Sequence, residues 1–279
     1  MMVVVGSLTL RRVMRHIRTD GRHLPSTETT EYLQADRKRE EHRGAFGYCF
    51  RPHGRTIYRP TPRTALIKRC DVQKTFLINF EDREFTEWPI EPIPTREELR
   101  MCAESGPPTN QPAPTVLVET KTVDTGERRE IFGRLARHVM TTRRVIPLAG
   151  RTHQERQTVI DGWYIDLDTS VSCEPWWWSG SGHGFLTTYK HGDQPERPTF
   201  KNIGEPVRGY AVLLRTTEGA SVSEFEVTDL STAALDPGLF EVPPGFSLVE
   251  QVRQEPIPPL VIRLKHTYER LKRRAHIGA

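Results

Sequence analysis

Residues Thr125–Thr142 read TGERREIFGRLARHVMTT. Successive side chains of a strand point to opposite faces. A strand from Arg129 onward would therefore place Ile131, Gly133, Leu135, Arg137 and Val139 on one side, and Phe132, Arg134, Ala136, His138 and Met140 on the other. Both sides mix oily and charged residues, whereas a sandwich strand shows one clean apolar face and one polar face. Gly133 has no side chain to pack and marks a bend or bulge. A strongly curved sheet needs such bends. The stretch predicts one bent antiparallel sheet with an apolar inner hollow.

Period-two alternation recurs on either side of this segment, which argues for strands. Thr115–Val123 and Arg129–Thr142 form a hairpin with Asp124-Thr125-Gly126-Glu127 as its turn. Gln157–Asp168 reads as a strand, and Val207–Thr217 with Val222–Leu230 as a hairpin around Glu218-Gly219. Upstream, Arg63–Cys70, Lys74–Asn79 and Glu84–Trp88 are further strands. Thr9–Thr19 is harder to place, because Leu10, Val13 and Ile17 sit at a spacing closer to helical; with Thr27–Arg39 it is assigned to a long polar hairpin. Leu235–Phe240 predicts a turn or a single helical turn.

Helix signals are few. Thr95-Arg-Glu-Glu98 is a capping box, opening a short helix near 95–105 that Gly106-Pro107-Pro108 ends. The 22 Pro and 20 Gly fit many turns and few long helices. The fold class is mainly β (α+β): a single strongly curved antiparallel sheet, an unclosed half-barrel, with a few short helices. Residues 1–250 form the sheet domain, and 251–279 a Pro-rich connector and a basic C-terminal helix with Leu260, Leu264, Tyr268 and Leu271 on one stripe.

The net charge is +4, and residues 1–75 hold roughly sixteen Lys/Arg against about seven Asp/Glu. Glu40 and Glu41 follow Arg37 and Arg39, so part of that charge is expected to pair across strands. A nucleic-acid surface would interleave aromatics with the cations, and only Tyr32 is close, so nucleic acid is not an expected partner. The longest apolar runs, such as Ala211–Leu214, fall far short of the roughly 20 residues a membrane helix needs. Met1–Val5 is too short for a secretory leader, whose apolar core runs about 7–15 residues. Cys49, Cys70, Cys102 and Cys173 lack zinc-site spacing; they allow two disulfides in any of three pairings, or four separate thiols.

Chemical motifs are weak. Gly180–Gly184 (GSGHG) is not a nucleophile elbow. Asp161, Asp166 and Asp168, with His183 and His191, could support a hydrolase, although the plainer reading is solvated polar loops and strand ends. No metal site and no cofactor are expected. Trp176-Trp177-Trp178 cannot all face one core, so at least one sits at a mouth or forms a flap.

The succession GERREIFGRLARHV, DGWYIDLD and EFEVTDLSTAALDPGLFEVPPGF resembles bacterial envelope proteins related to the LolA-type lipoprotein carriers (the LolA/LppX-like superfamily), over roughly residues 27–249. The resemblance implies an unclosed half-barrel, with helices plugging its open side, that binds an acyl chain or other apolar molecule and catalyses nothing. It also implies a periplasmic or envelope location, the leader not being visible in this chain; a cytoplasmic location is the alternative. The expected lining is Phe132, Trp163, Ile165, Leu213, Phe225 and Val227, with Trp176, Trp177 and Trp178 at the rim. The alternative function is a structural or interaction protein of the same fold, docking an envelope protein or an anionic membrane surface through its Arg-rich face.

Overall fold

The computed structural model describes residues 6–17, 20–44, 61–92, 97, 113–148, 155–174, 190–191, 194–195 and 197–253. The N-terminal strands are β1 (Ser7–Ile17), β2 (Thr27–Gln34), β3 (Arg37–Gly44), β4 (Thr64–Arg69), β5 (Lys74–Asn79) and β6 (Glu84–Pro89). Then follow β7 (Val116–Ile131), β8 (Arg134–Pro147), β9 (Arg156–Ile165), the two-residue β10 (Lys190–His191) and β11 (Gln194–Pro195), and β12 (Pro198–Ile203). The series ends with β13 (Tyr210–Glu218), β14 (Ser221–Ser231) and β15 (Ser247–Leu248).

Thirteen of these strands make one unclosed sheet in the order β12-β7-β8-β9-β13-β14-β1-β2-β3-β4-β5-β6-β15. Its internal pairings are antiparallel, and only the edge strands β12 and β15 run parallel to their neighbours. The sheet is two meanders, β1–β6 and β7-β8-β9-β13-β14, joined where β1 pairs with β14.

Several elements differ from expectation. Ser7–Ile17 is an eleven-residue strand in mid-sheet, its leucines alternating with polar residues once neighbours pair on both sides. The segment 27–39 is divided by a reversal at Ala35-Asp36, with Ala35 at φ 48°. The β7–β8 hairpin turns at Phe132-Gly133, where both residues have positive φ (53° and 68°), the backbone twist that two-residue hairpins favour. The expected turn at 124–127 is instead a bulge between Asp124 and Arg128, closed on itself by the Gly126 N–H donating to Asp124 Oδ1 at 2.9 Å. Gly133 is thus a turn residue and not a bend inside a strand. The hairpin around Glu218-Gly219 and a helical turn, Pro237–Phe240, are present as expected. Apart from Glu97, helical structure among the described residues is confined to that turn. The helix near 95–105, Glu97 excepted, and the C-terminal helix fall outside the described residues, as do Cys49 and Cys102.

Register and alternation assign side chains to two faces. The first face carries Leu8, Leu10, Arg12 and Met14 of β1; Thr29, Glu31 and Leu33 of β2; and Phe225 and Val227 of β14. An apolar cluster lies here, with Leu8, Leu10, Leu33, Val139, Tyr164, Phe225 and Val227 all buried and Leu214 packed against it. The second face, at the β3–β6 end, buries Ala65, Ile67 and Ile78 under Phe240 from the 237–240 turn. Asp236 caps that turn by accepting from the Gly238 N–H at 2.9 Å.

Cys70 and Cys173 form a disulfide that ties the β4–β5 turn to the segment following β9, across 103 residues of sequence. This strap, residues 166–174, carries the buried Leu167, Val171 and Glu174. Gly209 holds the start of β13 against the end of β9. Its φ is +84°, and a Cβ there would meet the Ile165 carbonyl oxygen at 2.3 Å. Gly209→Ala should cost about 1–3 kcal/mol, read as a lower midpoint of urea unfolding.

Candidate functional site

The first face combines its apolar stripe with a row structure of charges on β1–β4. Lys68 lies opposite Lys38, Lys38 opposite Leu33, and Leu33 opposite Leu8. One row along, Leu66, Glu40, Glu31 and Leu10 follow one another across the same strands. The next row is Thr64, His42, Thr29 and Arg12, reaching Val227 on β14. Like charges directly opposite one another destabilise a sheet. Both such pairs here, Lys38/Lys68 and Glu31/Glu40, are bridged by an opposite charge.

Arg12 bridges the acids. Its guanidinium pairs with Glu31, lies 3.7 Å from Glu40 Oε2, and donates to the Tyr210 hydroxyl at 3.2 Å. Lys38 Nζ adds a contact to Glu40 Oε1 at 3.2 Å. Glu174, from the strap, bridges the lysines: its Oε1 lies 3.5 Å from Lys38 Nζ and 2.6 Å from Lys68 Nζ. Burial raises the Glu31 carboxyl above its ordinary value despite Arg12. Burial also works against charge on Glu40, but Lys38 and Arg12 together hold its carboxyl below the usual range. Burial pushes the Tyr210 phenol well up, with nearby Glu31 adding to it. Glu31 is 2% exposed, and its Oε2 has no hydrogen-bond partner among the described residues.

The predicted lining residues do not share one surface. Trp163 and Leu213 are cross-strand partners on the second face, where Leu213 also lies opposite Glu226. Phe225 and Val227 flank Glu226 and point to the first face, where both are buried. Ile165 is fully buried at the end of β9, opposite Ala136 and Tyr210. Phe132 stands at the β7–β8 turn, 39% exposed, because the hairpin reverses at that residue. Trp176, Trp177 and Trp178 lie outside the described residues.

Trp163 is itself sandwiched on the second face. The Arg129 guanidinium sits 3.9 Å from its ring centroid, and His138 stacks on it at 4.8 Å. His138 Nε2 is 2.8 Å from Asp161 Oδ1. A groove of about 310 Å³ beside it is lined by charged residues, among them Arg15, Arg215 and Glu226, and by the apolar Leu213, Leu214 and Phe225.

The described carboxylates of the hydrolase reading have separate surroundings. Asp161 is taken by His138, Asp168 accepts from the Ser170 N–H and hydroxyl at 2.9 and 2.6 Å, and Asp166 is exposed at the strand end. His183, and the side chain of His191, fall outside the described residues. The described residues contain no cluster of three or more potential metal ligands.

Many N-terminal arginines are paired, as the interleaved acids suggested. Arg15 meets Glu226 at 2.8 Å, Arg37 meets Asp71 at 3.1 Å, and Arg39 meets Glu41 at 2.7 Å. On the second face Arg63 also holds Glu41, at 2.6 Å, and stacks 4.4 Å over Phe80. Burial opposes the Glu41 charge, but these two arginines keep its carboxyl below the ordinary 4.5. A carboxyl lowered by folding contributes stability above its unfolded pKa and loses it as pH falls through the folded one. The stability gap between the wild type and Glu41→Gln should therefore be full above about pH 5 and close as pH falls below about 4, measured by urea midpoints across that range.

No protein-family model and no curated protein matches the sequence. Among solved structures, PNGF-II aligns at 12% identity and a TM-score of 0.32, covering 87% of this chain and 31% of its own. LprF from Mycobacterium bovis aligns at 10% identity and 0.27, covering 82% and 88%. A DUF1329 family protein from Desulfovibrio piger aligns at 13% and 0.21, covering 85% and 90%. This chain thus spans about a third of the PNGF-II chain, and likenesses this loose transfer neither activity nor ligand.

Proposed function

We propose that the protein binds a lipid or other apolar molecule against the first face of its sheet and performs no catalysis. The observation that supports this reading is the apolar stripe from Val139 through Leu214, Phe225 and Val227 to Leu10 and Leu8. A sheet must bury such a face against a further layer. Its residues are largely buried, Leu167 and the partly buried Val207, both outside the strands, pack on the cluster, and a cavity of about 520 Å³ is lined in part by Val139 and Val207. A half-barrel curvature would wrap this stripe around an acyl chain. An envelope location is part of the proposal, supported by the Cys70–Cys173 bridge, since disulfides persist mainly in oxidising compartments.

Adjacent residues on opposite faces provide the test. Leu214 faces the stripe and Leu213 faces the Trp163 groove. An environment-sensitive apolar dye should brighten on the wild type and be displaced by oleic acid. Leu214→Asp should abolish this and Leu213→Asp should leave it. Equal retention in both variants, or no dye binding to the wild type, would contradict the reading.

A further inference from the structure

The order of the sheet dictates a crossing. β12 lies outside β7 and β13 lies beyond β9, so the connection between them has to pass across β7, β8 and β9. It passes on the first face, where Val207 packs on the apolar cluster. Both of its ends are glycines at positive φ set against strand carbonyls. A Cβ at Gly204 would meet the Thr122 oxygen of β7 at 2.1 Å, and one at Gly209 the Ile165 oxygen of β9 at 2.3 Å. Between the crossing segment and the sheet lies a cavity of about 520 Å³, inside the range of roughly 300–1,000 Å³ usual for small-molecule sites. Val139, Pro206 and Val207 give it an apolar wall.

Four charged side chains also line it: Asp124, Arg137, Glu205 and Arg208. Glu205 and Arg208 stand at the outer rim, 89% and 74% exposed and 3.7 Å from one another. Asp124 is held by Arg128 through both Nη atoms, at 2.8 and 2.9 Å; Arg128 is the main cause that keeps its carboxyl below the usual range, with Arg137 a lesser one. The Arg137 Nη2 donates to the Arg208 carbonyl oxygen at 2.8 Å, and among the described residues Arg137 has no ion pair. Val139 follows it two residues along the same face of β8, so a cation and an oily wall meet in one cavity.

We propose that this cavity holds the acid end of the bound amphiphile, a carboxylate or phosphate that accepts from the remaining N–H groups of Arg137, with the adjoining carbons against Val139, Pro206 and Val207. This rests on the apolar-ligand reading above and names its ligand class. A guanidinium fork matches two oxygens of an oxyacid, and such charge-assisted contacts are stronger than neutral ones. The bond to the Arg208 carbonyl orients the guanidinium, and the two glycine contacts fix the ends of the crossing segment, so the site is set before the ligand arrives. Asp124, already neutralised by Arg128, repels the incoming acid little.

The test uses the full chain with its disulfide intact and a displaceable apolar dye, at mildly alkaline pH so that the acids are ionised. Three competitors share one oleoyl chain: oleic acid, 1-oleoyl lysophosphatidic acid and the uncharged monoolein. At least one acid should displace the dye at about tenfold lower concentration than monoolein, the equivalent of one added charge-assisted contact. Whichever acid does so identifies carboxylate or phosphate as the head. Arg137→Gln keeps a donor for the Arg208 carbonyl and removes the charge; it should close the gap and leave monoolein unchanged. Arg208→Gln removes the same charge at the rim and should leave the gap open. Displacement by all three at one concentration, a gap that survives Arg137→Gln, or one that Arg208→Gln closes equally overturns the acid site and leaves the apolar reading standing. Failure of all three to displace the dye removes both.

Discussion

Arg12→Met should destabilise the protein by about 3–5 kcal/mol, seen as a large drop in the urea midpoint at neutral pH. Arg12 faces Glu31, whose side chain is 3% exposed, and Glu31 in turn lies opposite Glu40. Removing the guanidinium leaves two neighbouring carboxylates on a buried face with Lys38 as their remaining close cation. The loss comes from stranding those charges, not from the intrinsic worth of the pair. The double variant Arg12→Met/Glu31→Leu should therefore recover most of it, because a buried ion pair replaced by apolar side chains of similar volume is often neutral or better. A double variant as unstable as Arg12→Met alone would show that Arg12 acts through its packing or through Tyr210.

Reduction of Cys70–Cys173 should cost about 2–5 kcal/mol, the usual range for a native bridge. The bridge closes a long loop, which in the chain-entropy view restricts the unfolded state strongly. It also fixes the strap that brings Leu167 and Val171 into buried positions and Glu174 onto the lysines. The urea midpoint with a dithiol reductant should fall, and a Cys70→Ser/Cys173→Ser variant should match it without reductant. An unchanged midpoint in both would mean that packing alone holds the strap. Hydrogen exchange localises the effect, with amides of 166–174 expected to lose protection first.

The sheet was legible where alternation survives, as in Glu224–Thr228, and where a short apolar run is bounded by turn residues, as in Lys74–Asn79. The β7–β8 turn was not, because Asp124-Thr125-Gly126-Glu127 carries every turn residue and uses them for a bulge, while the real turn seats a phenylalanine at positive φ, a rare choice. The division of the lining residues between two faces was available in principle. A turn that pairs Glu218 with Ser221 forces Leu213 opposite Glu226, so Phe225 and Val227 must face the other way. The charged rows were harder to see. In TETTEYLQADRKREEH, Glu31, Lys38 and Glu40 read as a solvated face, and the partners that bury them, Arg12, Tyr210 and Glu174, are distant in sequence. The available signal was Leu33, which alternates onto the same face as Glu31 and so places charge beside oil.

Native mass spectrometry of the protein purified under non-denaturing conditions tests the central claim most directly. A population heavier than the chain by the mass of an apolar molecule is expected, lost on denaturation and absent from Leu214→Asp. A spectrum holding only the bare chain, unchanged after incubation with oleic acid and with monoolein, would contradict it.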